Sequence, residues 1–399
     1  MKKYLFIVIL LLLLFKTSVY ALEINTESEN ILLYNLIDNK VLYEKNSNEN
    51  TKIASITKII TVLVALENID DINEKIILTE DVFEGLIEND ASVAGFNVGE
   101  TVTYEDLLYA ALLPSGADAS QALAINLFGS EKEFVKEMNS LMIKLNIENT
   151  YFTNTSGLDE DGQRATLNDL LTIFLYAFKN DKFMNIFNSS SYTTYNGRLN
   201  LKSTLSYYEK TYNLNTDIIL GSKTGYTNLA GLCLLSYAKN DDLELLLITT
   251  NAPVDDNHYP YNLIDALNIY NYYFNNYGYQ TLLQSNQVIT NVKTKYSQDK
   301  TVNLIYKGQD FKYFLPNNYN KEEIKFEFKT SNYLTFNNSI KKNVGSFTMN
   351  YQDRQLFSGD LYLENKIDFS IINFIIYYKY IFGGLAIILI IYLKKLKKN

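Results

Sequence analysis

Near Gly278 the chain changes its repeat, and one packing scheme does not suit both sides of the change. Upstream, residues 31–276 mix strand-like stretches with helical ones; downstream, apolar and polar residues alternate at period two. Ile31–Leu36 and Lys40–Glu44 flank an Asp38-Asn39 turn and read as a hairpin. Helical patterns follow over Ile53–Glu67, Tyr104–Leu113, Ala117–Phe128, Glu131–Leu145 and Leu167–Phe178. Three strands are expected over Asp217–Tyr226, Ala230–Ala238 and Leu243–Thr250, then a helix over Tyr261–Asn276. Strands first and last around a block of helices predict an α+β unit, helices packed on an antiparallel sheet. Beyond it, Val302/Leu304/Tyr306, Ile324/Phe326/Phe328 and Phe347/Met349/Tyr351 predict a small all-β domain over residues 280–365, read as a spacer or docking module.

Both ends of the chain are apolar and basic. Lys2 and Lys3 precede the apolar run Tyr4–Phe15, and Val19-Tyr20-Ala21 offers a cleavage site, so residues 1–21 read as a secretion signal. At the other end, residues 370–393 are expected to form a transmembrane anchor, with Ile375–Leu393 long enough to span if Lys379 snorkels. The basic tail 394–399 then predicts a cytoplasmic C-terminus. Of 36 basic and 45 acidic residues, nine basic ones and one acid lie in residues 1–21 and 366–399. The body between them therefore holds 27 and 44, a net charge of −17, which opposes nucleic-acid binding.

One histidine (His258) and one cysteine (Cys233) limit the chemistry further. A Ser-His-Asp triad would need His258, a Cys-His pair would need both singletons, and a His/Cys zinc site cannot be assembled. No metal or organic cofactor is called for. Hydrolytic chemistry here is expected to rest on Ser, Lys, Asp, Glu or Tyr.

Three short motifs meet that requirement. Ser55-Ile56-Thr57-Lys58 opens the first strongly apolar helix, so the Lys58 amine and Ser55 hydroxyl share a face. Apolar neighbours would lower the lysine pKa and give a neutral amine able to take the serine proton. Alone the pattern is weak, since it recurs at Ser236–Lys239, Ser297–Lys300 and Ser339–Lys342. Ser115-Gly116-Ala117-Asp118 follows Pro114 on a tight loop between helices, where Ser115 is either a cleft hydroxyl or an ordinary cap. Lys223-Thr224-Gly225 lies on a strand: Lys223 offers positive potential, Thr224 a hydroxyl for a carboxylate, Gly225 close approach for an extended substrate. The Tyr226 and Ser55 backbone N–H groups would form an oxyanion hole.

In this order the motifs resemble the penicillin-recognising serine acyl-transferases. The phrases Ile53–Thr61, Gly99-Glu100, Ser115-Gly116-Ala117-Asp118-Ala119, Phe134-Val135, Met138-Asn139, Asn149-Thr150, Ser156-Gly157-Leu158-Asp159 and Lys223-Thr224-Gly225-Tyr226-Thr227 resemble the D-alanyl-D-alanine carboxypeptidases of the low-molecular-weight penicillin-binding proteins. The resemblance covers residues 28–276 and implies a transpeptidase-like catalytic domain over 22–279. It further implies that Ser55 attacks the bond between two terminal D-alanines of a peptidoglycan stem peptide. Lys58 would be general base, Ser115 a proton relay, and Lys223 with Thr224 the carboxylate holders; β-lactams would acylate the same serine.

Two departures stand out. Ala117 occupies the third position of the second motif, where the family usually has Asn. Some members of the family place an arginine downstream of the third motif to help bind the carboxylate, but between Gly225 and Thr290 the only basic residue besides His258 is Lys239. A D,D-endopeptidase, using the same residues, and a weakened, membrane-tethered wall-binding protein remain open readings. A β-lactamase is disfavoured because residues 129–220 lack a Glu-x-x-Leu-Asn phrase.

Overall fold

The computed structural model describes residues 24–240 and 242–396, apart from the Lys395 side chain. The expected secretion signal and the terminal residues 397–399 lie outside them. The chain divides into two compact units, with the boundary between Asn275 and Asn276.

The first unit opens with strands β1 (Asn30–Asn35) and β2 (Lys40–Lys45), a hairpin with a bulge at Leu33/Tyr34. A 3-10 turn, Ala54–Thr57, leads into α1 (Lys58–Asn68). The sequence predicts one continuous helix here; Ala54 instead takes φ +46°, and the first turn is wound more tightly. Positions 58–65 of α1 are all buried, so this helix is enclosed on every side.

Strands β3 (Lys75–Ile77) and β4 (Thr101–Thr103) form a short pair before α2 (Tyr104–Leu112), which starts on a Thr103/Asp106 capping box. Helix α3 (Ala117–Phe128) ends at Gly129, whose φ of +77° suits a glycine. Ser130 then caps α4 (Glu131–Lys144), Thr166 caps α5 (Leu167–Ala177) and Asn180 caps α6 (Asp181–Phe187). A second short pair, β5 (Ser191–Thr193) and β6 (Asn200–Lys202), precedes α7 (Thr204–Tyr212).

Strands β7 (Ile219–Thr227), β8 (Gly231–Asn240) and β9 (Leu243–Ala252) complete an antiparallel sheet in the order β2-β1-β9-β8-β7. Leu32, Leu235, Tyr237, Leu246 and Ile248 join the core formed with the helices. Helix α8 (Tyr261–Asn276) is fastened to β8 by Asn262 Nδ2 to Cys233 O (2.9 Å) and Tyr270 Oη to Ser236 O (2.8 Å). Strand β7 lies at the sheet's edge, with one side unpaired.

The second unit holds the pair β10 (Tyr277–Leu283) and β13 (Phe311–Pro316). It also holds a six-stranded sheet of β11 (Val288–Thr294), β12 (Thr301–Ile305), β14 (Ile324–Thr330), β15 (Tyr333–Leu334), β16 (Gly345–Tyr351) and β17 (Arg354–Leu363). The order is β14-β16-β17-β12-β11-β15, and Leu283, Leu304, Phe347, Met349, Leu361 and Leu363 are fully buried in the core.

The C-terminal helix expected to be continuous is broken into α9 (Ile371–Tyr377) and α10 (Lys379–Leu396). The pair has the length and apolar character of a span but is bent by 78°, and among the described residues no single helix is long and apolar enough to cross a membrane. The break falls at Tyr378, whose hydroxyl meets that of Tyr296 at 2.6 Å while the rings stack. That contact, and Ser370 N–H bonded to Tyr296 O at 2.6 Å, holds α9 to the β unit.

Candidate active site

Three segments of the first unit carry the site: the 3-10 turn before α1, the loop before α3, and the edge strand β7. Ser55 sits in the turn, and the first N–H groups of a helical turn have no intrahelical acceptor. Three residues on, Lys58 Nζ lies 2.9 Å from Ser55 Oγ and donates to Ser156 O at 2.8 Å. Lys58 is only 2% exposed, and burial lowers its pKa to about 7 against the opposing pull of the Asp118 charge. At neutral pH much of this amine is therefore uncharged and can accept the serine proton.

Ser115 takes φ +67°, a left-handed conformation costly for a residue with a side chain, and is 6% exposed. Its Oγ accepts a hydrogen bond from Lys223 Nζ at 2.8 Å, and the same amine donates to Thr224 O at 2.8 Å. Lys223 is fully buried; burial first, and the charge of Lys58 second, hold its pKa well below the usual lysine range. The two lysines thus face one electrostatic environment, each bonded to one of the two serines.

Gly225 explains itself through packing. A Cβ there would lie 2.9 Å from Ser55 N, 3.0 Å from Ala54 Cβ and 3.1 Å from Ile53 O. Its missing side chain lets β7 close on the backbone of Ser55, a reason distinct from the substrate approach expected from the sequence. Tyr226 follows, half exposed, with its hydroxyl on Asn228 Oδ1 at 2.8 Å. The structure thus brings Ser55 with Lys58, Ser115 with Lys223, and Gly225 with Ser55. Thr224 Oγ1 bonds to Thr204 Oγ1 at 2.8 Å, a partner on α7 that the sequence patterns do not flag.

Supporting contacts also went unread from the motifs. Gly157, at φ +85°, lies so close that a Cβ would fall 1.9 Å from Ala54 O, which brings the Ser156 carbonyl onto Lys58. Asn154 Oδ1 fixes that loop by accepting Gly157 N–H at 2.7 Å. Asp159 Oδ1 accepts the Thr227 hydroxyl at 2.9 Å, linking the same loop to the end of β7. Asp118, 1% exposed, accepts N–H groups of Ala94, Gly95 and Phe96 at 2.8–3.3 Å and holds that loop against α3. Ala117 is buried, with its N–H on Ser92 O at 2.7 Å.

The two singletons stand apart from this arrangement. His258 lies in a turn at φ +52°, its carbonyl accepting the Tyr212 hydroxyl. Cys233 is buried behind Gly225, and burial pushes its thiol up to about 12, so it is no nucleophile.

Taken together, these contacts define a serine acyl-transferase class of site in which a buried lysine stands where other serine hydrolases use histidine. Comparison with known proteins agrees. The D-alanyl-D-alanine carboxypeptidase family model matches residues 16–254. D-alanyl-D-alanine carboxypeptidase DacF of Bacillus subtilis is 30% identical over 295 residues, 71% of this chain and 71% of that protein. A point mutant of the Streptomyces K15 DD-transpeptidase superposes with a TM-score of 0.56 at 27% identity, over 63% of this chain and 99% of the other. Penicillin binding protein 5 from Haemophilus influenzae superposes with a TM-score of 0.60 over 86% of this chain and 98% of the other; at 20% identity it speaks for the fold. The chain belongs to the D-alanyl-D-alanine carboxypeptidase family, with the penicillin-binding protein fold and a separate β domain.

Proposed function

We propose that this protein is a serine-type D,D-carboxypeptidase that removes the terminal D-alanine from peptidoglycan stem pentapeptides, with Ser55 as nucleophile. The observation that carries the reading is Lys58, buried with no salt bridge among the described residues and 2.9 Å from Ser55 Oγ in a chain with one histidine, His258. Neutral Lys58 takes the proton of Ser55 as Oγ attacks the carbonyl carbon between the two D-alanines. The Ser55 and Tyr226 N–H groups receive the developing oxyanion. The proton taken up by Lys58 is relayed through Ser115, which is bonded to Lys223, to the departing amine; the C–N bond breaks, D-alanine leaves, and Lys58 is neutral again. Water then attacks the ester on Ser55, its proton passing to Lys58 and from there to the departing Ser55 Oγ, and the shortened peptide is freed.

The substrate lies along the unpaired side of β7, its terminal carboxylate on the Thr224 hydroxyl in the positive potential of Lys223. β-Lactams enter the same way and acylate Ser55. Labelling with a fluorescent penicillin, followed by assay of D-alanine release from a pentapeptide, tests the reading. Label that vanishes in Ser55→Ala, together with release by the wild type, supports it; folded wild type that takes no label overturns it.

The same reading places the chain at the membrane. The bent pair α9–α10 is apolar, is bracketed by Tyr377, Tyr378, Tyr380 and Lys379 at one end, and has Lys394 and Lys395 near the other. Tyrosines and lysines at these levels suit a bilayer interface, with residues 1–21 as the export signal, 22–279 as the catalytic domain outside the membrane and 370–393 as its anchor. Removal of residues 370–399 is expected to move the protein from the membrane fraction to the soluble one.

A further inference from the structure

Two hydroxyls meet at the start of β7's active-site stretch, and together they hold one more hydrogen than they can share. Thr224 Oγ1 donates to Thr204 Oγ1 at 2.8 Å, and among the described residues neither oxygen has another hydrogen-bond partner. Each hydroxyl carries one donor hydrogen. Whichever donates within the pair, the other O–H is left without an acceptor. Thr224 is 7% exposed, so its share of this spare donor is largely shielded from water.

The elements that hold the pair are tied to the rest of the site. Thr224 follows Lys223 on β7, and Thr204 is the first residue of α7, with its N–H on Leu113 O at 3.1 Å, just before the Pro114-Ser115 loop. Among the described residues no lysine or arginine donates to either threonine hydroxyl. Lys239, the only lysine or arginine between Gly225 and Thr290, lies on β8 six residues beyond Cys233, the partner of Gly225, or about 20 Å along the strand. There it pairs with Glu244 at 2.5 Å.

We propose that Thr204 is a positioning residue for recognition of the substrate's terminal carboxylate. On binding, the Thr204 hydroxyl donates to Thr224 Oγ1, and the Thr224 hydroxyl turns to donate to the carboxylate. A chain of this kind strengthens the outer hydrogen bond, because a hydroxyl that accepts one becomes a better donor. The pair selects ligands ending in a free carboxylate over their neutral counterparts, without an added cation. This inference rests on the reading of Thr224 as the carboxylate's partner, and it extends that reading to a residue outside the three motifs.

The test compares acylation of the full-length protein by benzylpenicillin, which carries a carboxylate, and by its methyl ester, which does not. Thr204→Val is expected to slow acylation by benzylpenicillin about three- to tenfold, the scale of one hydrogen bond, and to leave the ester's rate unchanged. Thr204→Ser is expected to keep the wild-type preference. Equal losses with both ligands would make Thr204 a structural residue and overturn the proposal, as would no loss with either. Peptidase activity is scored separately. A wild type that releases no D-alanine but shows the carboxylate-specific Thr204→Val effect would sink the hydrolase reading and leave this inference standing.

Discussion

The catalytic unit and the β unit differ in what they bury. The first encloses Lys58, Lys223, Asp106, Asp118 and Asp265, whereas the buried polar residues described in the second are Ser297 and Ser370. Within the first unit the charges divide again by sign. Asp106 accepts the N–H groups of Thr103 and Tyr195, Asp118 those of Ala94, Gly95 and Phe96, and Asp265 those of Glu27 and Ser28. Such carboxylates hold loops in place and compensate their own desolvation. Among the described residues neither lysine joins a salt bridge; each meets a serine hydroxyl and a backbone carbonyl instead. Burying an amine this way is costly and strains its protonation. Buried acids mark construction in this molecule, and on the proposed reading buried bases mark chemistry.

That contrast can be broken by substitution. Lys58→Met keeps the length of the side chain and removes the base. It should slow acylation by a fluorescent penicillin about 10²–10⁴-fold while thermal stability holds or rises; a large fall in stability would mean that Lys58 serves the fold. Lys325→Met, on exposed β14, should change neither quantity. The next effect is in pH. Neutral Lys58 is the reactive form and its pKa is about 7, so acylation should fall about tenfold per unit below that value and level off above it. A flat profile through neutrality would place the base elsewhere.

Asp118→Ala tests the other half of the contrast. It leaves the Ala94–Phe96 N–H groups without an acceptor and should cost the catalytic unit about 1–3 kcal/mol, read as a shift of its own unfolding transition, with that of the β unit unmoved. Smallest is Ala117→Asn, which restores an amide to the second motif. It should raise D-alanine release about two- to tenfold, the value of one hydrogen bond. No gain would show that this site has done without the amide by other contacts.

The sequence carried the strands, the large helices and the three motifs because each has a local signature: period-two or helical spacing, a cap, or a fixed motif order. What it did not carry depends on contacts between distant segments. The tight turn at Ala54 follows from the approach of Gly157, about a hundred residues on. The Ser156 carbonyl on Lys58 is a backbone group with no composition to read. Helix α7 buries no residue, and Thr204 at its start belongs to none of the three motifs. The break at Tyr378 coincides with a contact to a tyrosine in a different segment, Tyr296, which a hydropathy profile of the C-terminal run does not register.

One property of β7 reaches beyond the reaction. A nine-residue edge strand with an open side is a template on which other strands can add, and proteins blunt such edges with irregular register and inward-facing charge. β7 has both: a register shift between Ile219 and Gly221, and Lys223 turned into the interior. On the proposed reading Lys223 therefore serves twice, in the site and on an edge that would otherwise invite a further strand.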